Sequence, residues 1–433
     1  MSLRRQLFWF RDKLTRGKVK AAYTDIESIM SSSSNLVDHR LENNLKSLLK
    51  HAERSTTFYK GLDPTEFHSW PVINKGEMLK NQHGFESDRF SSADLRVVST
   101  SGSTGIPFKV KQDQGKRIRQ LADMLYFNDQ SGHHFGDKLF YLRIWNDINS
   151  MSAITRWLKN IEQVDGADLS LDGTKRLLKS LDNCRRPCAL LSYGSSIEAH
   201  AHNIKLLRNQ LPELNFGNLR SIILMAEPVS KEARSTLKFF FGKPARARYS
   251  TSENGFIAHQ MNDEDYYVIN KASFKVELLE FDSNQPVEDG EEGRIVVTDL
   301  FNYATPMIRY DTGDVGIKKK VRVNGLFHEA LVSISGRRMD FIESVKGELI
   351  SPHVIDYSVR GIEGIRQFQL IQQDQKRYLL KLNSYIHIDE GEIFSSLRKY
   401  LGKGAEIEIE KVSEIPVLSS GKRKLVINNY KKT

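Results

Sequence analysis

The stretch Ser99–Pro107 reads Ser-Thr-Ser-Gly-Ser-Thr-Gly-Ile-Pro and follows the strand-like pair Val97-Val98. Its two glycines let the backbone approach a ligand closely, and its hydroxyl groups and amides can donate hydrogen bonds to phosphate oxygens. No Lys-Ser or Lys-Thr pair follows, so the stretch is not a Walker A loop. Taken alone it is equally compatible with a flexible turn, and its interpretation depends on the surrounding sequence.

Downstream of this loop the sequence alternates between strand-like and helical patterns. Strand-like apolar runs cover Cys188–Leu191, Ile222–Met225 and Ala245–Tyr249, and helical patterns cover Ile197–Leu211 and Lys231–Phe241. Strands and helices that alternate at this pitch are typical of a mixed or parallel sheet covered by helices. The sequence therefore predicts an α/β fold.

The pattern changes twice after this region. From about residue 265, strand-like runs such as Arg294–Thr298 and Met307–Tyr310 are separated by polar turns, which indicates a β-rich subdomain. Beyond Gly336 the elements are smaller and mix strands with a helix that is predicted over Glu390–Leu401. We therefore predict a large domain of mixed α/β sheets with a β-rich subdomain over residues 1–335. A small, mobile α+β domain is predicted over residues 337–433.

Composition and charge exclude several classes of protein. The 433 residues carry a net charge of +10 and only two cysteines, Cys184 and Cys188. Two cysteines cannot supply a disulfide framework or a Cys-based zinc site, so we expect reduced thiols in a cytoplasmic protein. No uncharged apolar run approaches the roughly 18 residues that span a bilayer. The positive charge is spread along the chain without a nucleic-acid-binding motif, so we expect no nucleic acid partner.

The N-terminal segment carries an apolar patch, Leu7–Phe10, between basic residues. The patch is too short to be the apolar core of a signal peptide. Two interpretations remain open: a basic amphipathic segment in peripheral contact with a membrane, and a helix that packs on its own domain. A further helix is predicted over residues 38–50, with Asp38 as its N-cap.

Four more motifs have residue types that suit nucleotide chemistry. Tyr249–Glu253 follows a strand end, where an aromatic ring can flank a base, hydroxyls can meet phosphate and a carboxylate can hold a divalent cation. Arg309–Asp314 places a carboxylate after a glycine turn, which suits ribose hydroxyls. Gly336–Asp340 lies at the pattern change, and Ser419–Lys422 can swing an ammonium group onto a carboxylate or phosphate. Each motif alone is also compatible with a plain turn or a charged tail, but this order is hard to obtain by chance.

The set of motifs resembles the adenylate-forming superfamily of acyl-CoA synthetases. Within it, the sequence is most similar to the phenylacetate-CoA ligase branch and its CapK-like members, which accompany bacterial capsule and other surface-polysaccharide genes. Thr100–Pro107 matches the phosphate loop of that branch, Met225–Pro228 echoes its Gly-Ala-Glu-Pro stretch, and Pro306–Asp314 matches its Pro-x-Ile-Arg-Tyr-x-Thr-Gly-Asp stretch. Ser55–Tyr59 resembles its entry segment, and the resemblance covers residues 40–430.

The resemblance implies a role for individual residues. Glu253 would hold Mg²⁺, Arg337 would reach the ribose and phosphate side, and Lys422 would bridge the carboxylate and the α-phosphate. Tyr249 would lie against adenine, and Asp314 would bind the ribose hydroxyls. The implied nucleotide site consists of Ser101, Gly102, Ser103, Thr104, Gly105, Ala226, Glu227, Tyr249, Ser250, Thr251, Ser252 and Asp314.

The activity implied by the resemblance is ATP- and Mg²⁺-dependent activation of a carboxylic acid as its acyl-adenylate. The acyl group then passes to an acceptor, with CoA expected first, in capsule or surface-polysaccharide biosynthesis. Two alternatives stay open: a ligase with a non-CoA acceptor (an amine, a sugar or a cofactor), and an inactive nucleotide-binding scaffold. For the acid pocket the sequence offers four unranked candidates, Trp145, His134, Tyr193 and Phe256.

Three residues depart from the pattern of the branch. Ser250 stands where a glycine is usual, which narrows the expected adenine pocket, and Met339 stands at the hinge position where an acidic or basic residue is usual. Phe108 replaces a small residue after the loop proline, so we expect a different pocket wall. The Cys-rich metal site of some members is not expected in this chain.

Overall fold

The structure is a computed structural model that describes the chain in several segments. These are residues 2–32, 35–100, 108–143, 145, 150–166, 168–208, 210–211, 214–225, 229–337, 342–347, 349–350, 355, 358–359, 362–416 and 425–430. At residues 35, 100, 195, 335–337 and 349 the backbone alone is described.

The described residues form helices and strands along the whole chain. The helices are α1 (Leu3–Leu14), α2 (Lys18–Met30), α3 (Asn35–Ser55), α4 (Lys75–Lys80), α5 (Gln114–Gln130), α6 (Ala153–Lys159), α7 (Leu171–Asp182), α8 (Gly194–Leu207), α9 (Lys231–Phe241) and α10 (Glu390–Leu401). The first ten strands are β1 (Ile73–Asn74), β2 (Arg96–Thr100), β3 (Phe108–Gln112), β4 (Lys138–Arg143), β5 (Ile161–Asp165), β6 (Cys188–Tyr193), β7 (Leu219–Met225), β8 (Ala245–Thr251), β9 (Gly255–His259) and β10 (Tyr267–Ile269). The others are β11 (Phe274–Leu279), β12 (Glu292–Asp299), β13 (Tyr310–Val323), β14 (Leu326–Arg337), β15 (Ile342–Glu343), β16 (Leu349–Ile350), β17 (Ile365–Gln372), β18 (Arg377–Ser384), β19 (Glu406–Lys411) and β20 (Val426–Asn428).

The chain divides into two compact units. The first consists of Met1–Glu277, Val296–Tyr310 and Lys318–Val332. The second consists of Leu278–Ile295, Asp311–Ile317 and Ser333–Thr433. The chain passes from one unit to the other within β11, β12, β13 and β14. The boundary at Gly336 and the mobility of the small domain remain predictions.

The first unit is built on a mixed sheet. Strands β5, β4, β6, β7 and β8 lie side by side in this order and run parallel, as when Leu190 pairs with Ile222 and Ile223 pairs with Arg246. Strands β9, β10 and β14 continue it with antiparallel pairing. Parallel strands need helical crossovers, which explains the alternating pattern of the sequence. The predicted α/β fold is confirmed.

Helices α7, α8 and α9 cover one face of the parallel strands, and their apolar side chains share a core cluster with them. Helix α9 has the predicted bounds, because Ser230 caps its first turn and Gly242, at φ 66°, ends it. Helix α8 ends at Leu207 rather than at the predicted Leu211. A proline disfavours helical dihedrals in the residue before it. Pro212 directly follows Leu211, so Leu211 is a poor helix end.

The N-terminal helices precede the sheet. The prediction that Asp38 caps a helix over residues 38–50 is wrong in detail, because α3 begins at Asn35 and Asp38 lies inside its first turn. An aspartate there still favours the helix through its dipole. Leu48 and Leu49 are buried, as the predicted apolar face requires. Among the described residues, no helix is long and apolar enough to cross a membrane.

The segment before β13 differs from its prediction. Met307–Tyr310 was expected to be a strand, but β13 begins only at Tyr310. Arg309 has φ 51°, a left-handed conformation that residues other than glycine rarely adopt and that lies outside the β region of φ/ψ space. Its guanidinium donates to both carboxylate oxygens of Glu277, at 3.1 and 3.3 Å, and to the carbonyl of Trp70. Arg309 is therefore an anchor of the fold, and its buried ion pair holds the strained backbone in place.

The C-terminal part of the second unit has its own sheet and core. Its strands follow the order β19, β18, β17, β20, and β17 and β18 form an antiparallel pair with Phe368 opposite Leu382. Helix α10 has the predicted bounds, with Asp389 as its N-cap. Its buried Leu397 packs into the apolar cluster that the sheet supplies. The predicted small α+β architecture is confirmed.

Candidate active site

The hairpin between β8 and β9 carries Glu253 in its turn. Thr251 pairs with Gly255, so residues 252–254 form the turn itself. The hydroxyl of Thr251 accepts a hydrogen bond from the backbone N–H of Asn254 over 3.1 Å. Gly255 has φ 97°, a conformation that other residues rarely adopt. Glu253 is thereby fixed, half-buried, beyond the carboxyl end of a central strand, where ligands of α/β sheets bind.

Tyr310 orients the Glu253 carboxylate. The Tyr310 hydroxyl donates to Glu253 Oε1 over 3.3 Å. The Tyr310 ring is buried and lies parallel to the ring of Phe108, with centroids 6.4 Å apart. Phe108 is one of the three residues that depart from the sequence pattern of the branch. It lies in the core, where its ring supports the ring of Tyr310.

The two strands that flank the predicted phosphate loop, β2 and β3, pair with each other. The second of them contacts the Glu253 turn. Thr100 at the end of β2 pairs with Phe108 at the start of β3. At the other end of β3, Gln112 Nε2 donates to the backbone carbonyl of Glu253 over 3.2 Å. The strand that leaves the loop is thus bonded directly to the Glu253 turn. The structure brings the flanks of the first two motifs together.

A buried ion pair lies beneath the Glu253 turn. Lys116 Nζ is 2.5 Å from Asp299 Oδ2 and donates to the carbonyl of Asn254 over 2.7 Å. Burial raises the pKa of Asp299, and the ammonium of Lys116 opposes that shift. The side chain of Asn254 is fully buried, and neither its Oδ1 nor its Nδ2 has a partner among the described residues. Removing either partner would leave the other as an unpaired buried charge, which is costly. The ion pair therefore stabilises the position of the turn.

The sequence interpretation missed Lys116, Asn254 and Asp299, although a signal for one of them exists. Lys116, Arg119 and Asp123 follow helical spacing on the buried face of α5, where apolar residues are expected. A charged stripe on a buried helix face indicates partners elsewhere in the chain. Which partners they are depends on the tertiary fold, and spacing does not encode it.

Asp314 lies in the second unit, just inside β13. Gly313 before it has φ 76°, and its N–H donates to Asp311 Oδ1 over 2.9 Å. The backbone N–H of Asp314 donates to the Thr312 hydroxyl over 3.1 Å. Arg294 pairs with the other oxygen of Asp311 at 2.7 Å. The Thr-Gly-Asp motif is therefore a segment of β13 with internal hydrogen bonds, whereas the sequence suggested a turn between strands.

The remaining predicted site residues are described unevenly. Tyr249 is half-buried in β8 and pairs with Ala258, while Ser250 and Ser252 are exposed. Of Arg337 only the backbone, at the end of β14, is described. The residues that lie outside the described part of the chain are Ser101, Gly102, Ser103, Thr104, Gly105, Ala226, Glu227, Met339 and Lys422. The roles of all these residues remain predictions.

The donors at the Glu253 turn fit Mg²⁺. Glu253 offers a half-exposed carboxylate, of which one oxygen accepts from Tyr310. No cationic side chain of the described residues pairs with it. The described residues contain no cluster of three metal-binding side chains. Mg²⁺ commonly binds through one or two carboxylates together with water and substrate phosphates, so a single oriented carboxylate suffices.

Comparison with known proteins agrees with this fold and these motifs. Residues 342–429 match the family model of the CapK C-terminal domain. The chain is 26% identical over 385 residues to protein CapK of Staphylococcus aureus, covering 86% of this chain and 82% of that protein. The predicted resemblance to the CapK-like branch is confirmed. The chain also matches phenylacetate-coenzyme A ligase of Pseudomonas putida, at 24% identity over 44% of the chain and 47% of that ligase.

Solved structures show the fold of this chain. The 2-hydroxyisobutyryl-CoA ligase in its postadenylation state, in complex with 2-HIB-AMP, aligns with a TM-score of 0.70 at 17% identity. The alignment covers 92% of this chain and 90% of that ligase. The amide bond synthetase McbA of Marinactinospora thermotolerans aligns with a TM-score of 0.55 at 13% identity, covering 77% and 68%. The chain therefore has the fold of the adenylate-forming ligases.

Proposed function

We propose that the chain is an ATP-dependent ligase that converts a carboxylic acid into its acyl-adenylate. The carboxylate attacks the α-phosphorus of ATP, an acyl–phosphate bond forms, and pyrophosphate leaves. The observation that carries the proposal is the Glu253 turn, which Tyr310 orients and which Gln112 joins to the strand leaving the phosphate loop. Such a turn brings a cation ligand to the phosphates, where negative charge must be stabilised during transfer.

Residues of this chain would divide the work as the resemblance implies. The backbone and hydroxyls of the 101–105 loop would surround the phosphates, and Tyr249 would lie against adenine. Asp314, at the end of the hydrogen-bonded segment 311–314, would accept hydrogen bonds from the ribose hydroxyls. Glu253 would hold Mg²⁺, which neutralises phosphate charge when bound. Lys422 and Arg337 would supply positive charge to the transferring group.

CoA is the acceptor that the comparisons favour. The 2-hydroxyisobutyryl-CoA ligase was solved with 2-HIB-AMP and with CoA in the thioesterification state. McbA, an amide bond synthetase, has the same fold, so an amine, sugar or cofactor acceptor is the second candidate. A place in capsule or surface-polysaccharide biosynthesis is what the resemblance to the CapK-like branch implies, and it is part of this proposal. A cytoplasmic location remains part of this proposal, and an inactive scaffold is its alternative.

We also infer that the outer face of α1 contacts a membrane surface that carries anionic lipid. The inner face of α1 is occupied, because Phe8 packs on Phe135 with ring centroids 4.3 Å apart and Arg5 pairs with Asp129. The outer face consists of apolar side chains that are each at least 57% exposed and share one side of the helix. These are Leu3, Leu7, Phe10 and Leu14. The packed inner face agrees with the interpretation of a helix on its own domain, and we assign the proposed membrane contact to the outer face.

The charge around this face favours anionic lipid over a second copy of the chain. Arg11, Lys13, Arg16 and Lys18 are exposed and form no ion pair within the described residues. Asp12, the one carboxylate of the segment 2–20, is buried and accepts from the backbone of α2. Two copies meeting through this face would oppose like charges. An apolar ridge flanked by cations is typical of helices that lie in an anionic interface.

Acid-dependent release of pyrophosphate tests the proposed activity. Purified protein, ATP and Mg²⁺ are incubated with a panel of carboxylic acids, each with and without CoA. We expect release that requires an acid, and a thioester product when CoA is present. Release without thioester, but with an amine or sugar as acceptor, would replace CoA by the second candidate. No acid-dependent release across the panel would favour the inactive scaffold.

A further inference from the structure

The carboxyl ends of the parallel strands form an aromatic-lined face around Arg248. Tyr193, Met225 and Arg248 are successive register partners across β6, β7 and β8, so their side chains share one face of the sheet. Tyr141 of β4 packs on the same apolar cluster. The opposite face of these strands is the helix-covered core. Open α/β sheets bind ligands outside the carboxyl ends of their strands, so this face is a candidate pocket.

The guanidinium of Arg248 lies among aromatic and sulfur atoms rather than carboxylates. Its Nη2 is 3.4 Å from Met225 Sδ, which also lies 3.9 Å from the Tyr141 hydroxyl. Its central carbon is 5.3 Å from the centre of the Phe256 ring. Its Nε is buried and has no hydrogen-bond partner among the described residues. Burial lowers the pKa of Arg248, while the nearby Tyr141 and Tyr193 oppose that shift.

Three buried arginines of this chain have a carboxylate partner, whereas the half-buried Arg248 has none among the described residues. Arg119 pairs with Asp25 at 2.6 Å, Arg294 with Asp311 at 2.7 Å, and Arg309 with Glu277 at 3.1 Å. No carboxylate of the described residues lies within ion-pair distance of Arg248. A guanidinium stays charged in a protein, and burying it without an anion is costly. The fold therefore holds a cation in a position that an anionic ligand would complete.

We propose that Arg248 binds a second anionic group of the acid substrate, so that the substrate is a dicarboxylic acid. The proposal rests on the proposed function, since the ligand is the acid to be activated. The reacting carboxylate itself is an unsuitable partner, because its charge is lost when the anhydride bond forms and a salt bridge would favour the ground state. A guanidinium binds a carboxylate through two parallel hydrogen bonds.

The surrounding side chains indicate the shape of the substrate. Trp145 packs edge-on against Tyr141 with ring centroids 5.1 Å apart, and its Nε1 is held by the carbonyl of Val164 at 2.9 Å. Three of the four pocket candidates of the sequence, Trp145, Tyr193 and Phe256, thus surround Arg248 directly or through Tyr141. The fourth, His134, bonds to Asp129 instead and is not part of this face. Aromatic walls favour a flat substrate body, so we choose isophthalate as the probe.

Acid-dependent exchange of pyrophosphate into ATP tests the assignment with matched acids. The pair is isophthalate and its monoamide, which has the same shape with one charge fewer. We expect the wild-type protein to prefer isophthalate by about a hundredfold in kcat/KM, the usual effect of losing one partner of a buried charge pair. Arg248→Met should abolish this preference while still activating the monoamide. Arg246→Met is the matched control, since Arg246 lies on the same face but donates to Gln130 and approaches Asp263.

Direct binding separates failure of this assignment from failure of the proposed function. Isothermal titration of isophthalate into the ATP-free protein should show binding that Arg248→Met abolishes and Arg246→Met retains. Arg248→Met should also raise the melting temperature of the free protein, whereas a structural role of Arg248 predicts a lower one. Equal binding of both acids, or activation of both with no effect of Arg248→Met, overturns the assignment and leaves the ligase activity standing. Binding without exchange supports Arg248 and contradicts the ligase activity.

Discussion

Glu253 is the residue on which the proposed chemistry depends most directly. Glu253→Gln keeps the size of the side chain and an acceptor for the Tyr310 hydroxyl but removes the charge that would hold Mg²⁺. We expect acid-dependent pyrophosphate release to fall by about 10²-fold or more, the usual scale for losing one electrostatic contact to the transition state. Thermal unfolding should be unchanged, because the carboxylate is half-exposed. Glu264→Gln, an exposed carboxylate, is the control, and wild-type release by Glu253→Gln at saturating Mg²⁺ would reject the assigned role.

His259 makes the stability of the chain depend on pH. Burial, together with the charges of Arg248 and Arg246, lowers the pKa of His259 to about 3. Below the unfolded pKa of about 6.5 the unfolded chain therefore binds a proton that the folded chain refuses, and stability is lost as the pH falls. The loss of unfolding free energy from this residue approaches about 1.4 kcal/mol per pH unit, the value for a difference of one bound proton between the two states.

A single substitution isolates this contribution from other titrating groups. His259→Gln can still bond to the Ser131 hydroxyl but does not titrate. Urea unfolding between about pH 7 and about pH 4 should show a shallower fall of the unfolding free energy in this variant than in the wild type. Parallel curves for the two proteins would mean that His259 is protonated in the folded state.

Helix α1 is the element whose two faces have different tasks. Its inner face is fixed by Phe8 and Arg5, so polar substitutions on the outer face should leave the fold intact. Leu7→Asp with Phe10→Asp should weaken binding to vesicles of phosphatidylcholine and phosphatidylglycerol by about tenfold or more, since both buried apolar area and net charge are lost.

The matched control for α1 is Phe239→Asp, a change at an aromatic residue of α9 that is 73% exposed, against 60% for Phe10. Co-sedimentation with vesicles should be unchanged in this variant and absent for the wild type with phosphatidylcholine alone. Rising salt should weaken binding, because the cations around the face act through screened charge. If the wild type is instead a dimer that the α1 substitutions dissociate, the face is an interface between two copies.

Elements whose ends are set by local chemistry were predictable from the sequence. Ser230 and Gly242 delimit α9, and Asp389 begins α10, so both helices have their predicted bounds. The segment before β13 was not predictable in this way. Its left-handed Arg309 is stabilised by Glu277 and by carbonyl groups from the segment around Trp70. Those partners are distant in sequence, and no periodicity of the sequence predicts them.

In the candidate site, too, local features were predictable from the sequence, whereas contacts between separate elements were not. A strand end followed by hydroxyls and a carboxylate predicted that Tyr249–Glu253 belongs to a site, because these are local features. The contact between Tyr310 and Glu253, the stacking on Phe108 and the exposure of Arg248 to an aromatic face all join separate elements. The sequence did not single out Arg248 next to Tyr249, because what distinguishes it is that no carboxylate of the described residues pairs with it, which only the three-dimensional structure shows.

At the scale of the molecule, the proposed reaction needs two half-reactions that require different surroundings. Adenylation needs positive charge on the α-phosphate, whereas acyl transfer needs access for the acceptor. The 2-hydroxyisobutyryl-CoA ligase was solved in a postadenylation and in a thioesterification state. The predicted mobile domain over residues 337–433 would serve the same purpose here. That domain carries Lys422, which offers a way to test the prediction.

Lys422 lies in a Ser-Ser-Gly-Lys segment, whose glycine and small side chains suit a movable arm. If its ammonium approaches the carboxylate and the α-phosphate only while their bond forms, Lys422→Ala should reduce adenylation by about 10²–10³-fold. Acyl transfer from a chemically supplied acyl-adenylate should be nearly unaffected, because the small domain has then carried Lys422 away.

The neighbours Arg423 and Lys424 could supply a charge from the same arm, so each needs its own alanine control. Single-turnover assays of the two half-reactions give the comparison directly. A loss confined to adenylation and to Lys422 supports a domain that moves between the steps. Equal losses in both half-reactions would place Lys422 in a static site, since one fixed ammonium would then serve both steps. The alternation of the small domain would have to be abandoned for this chain.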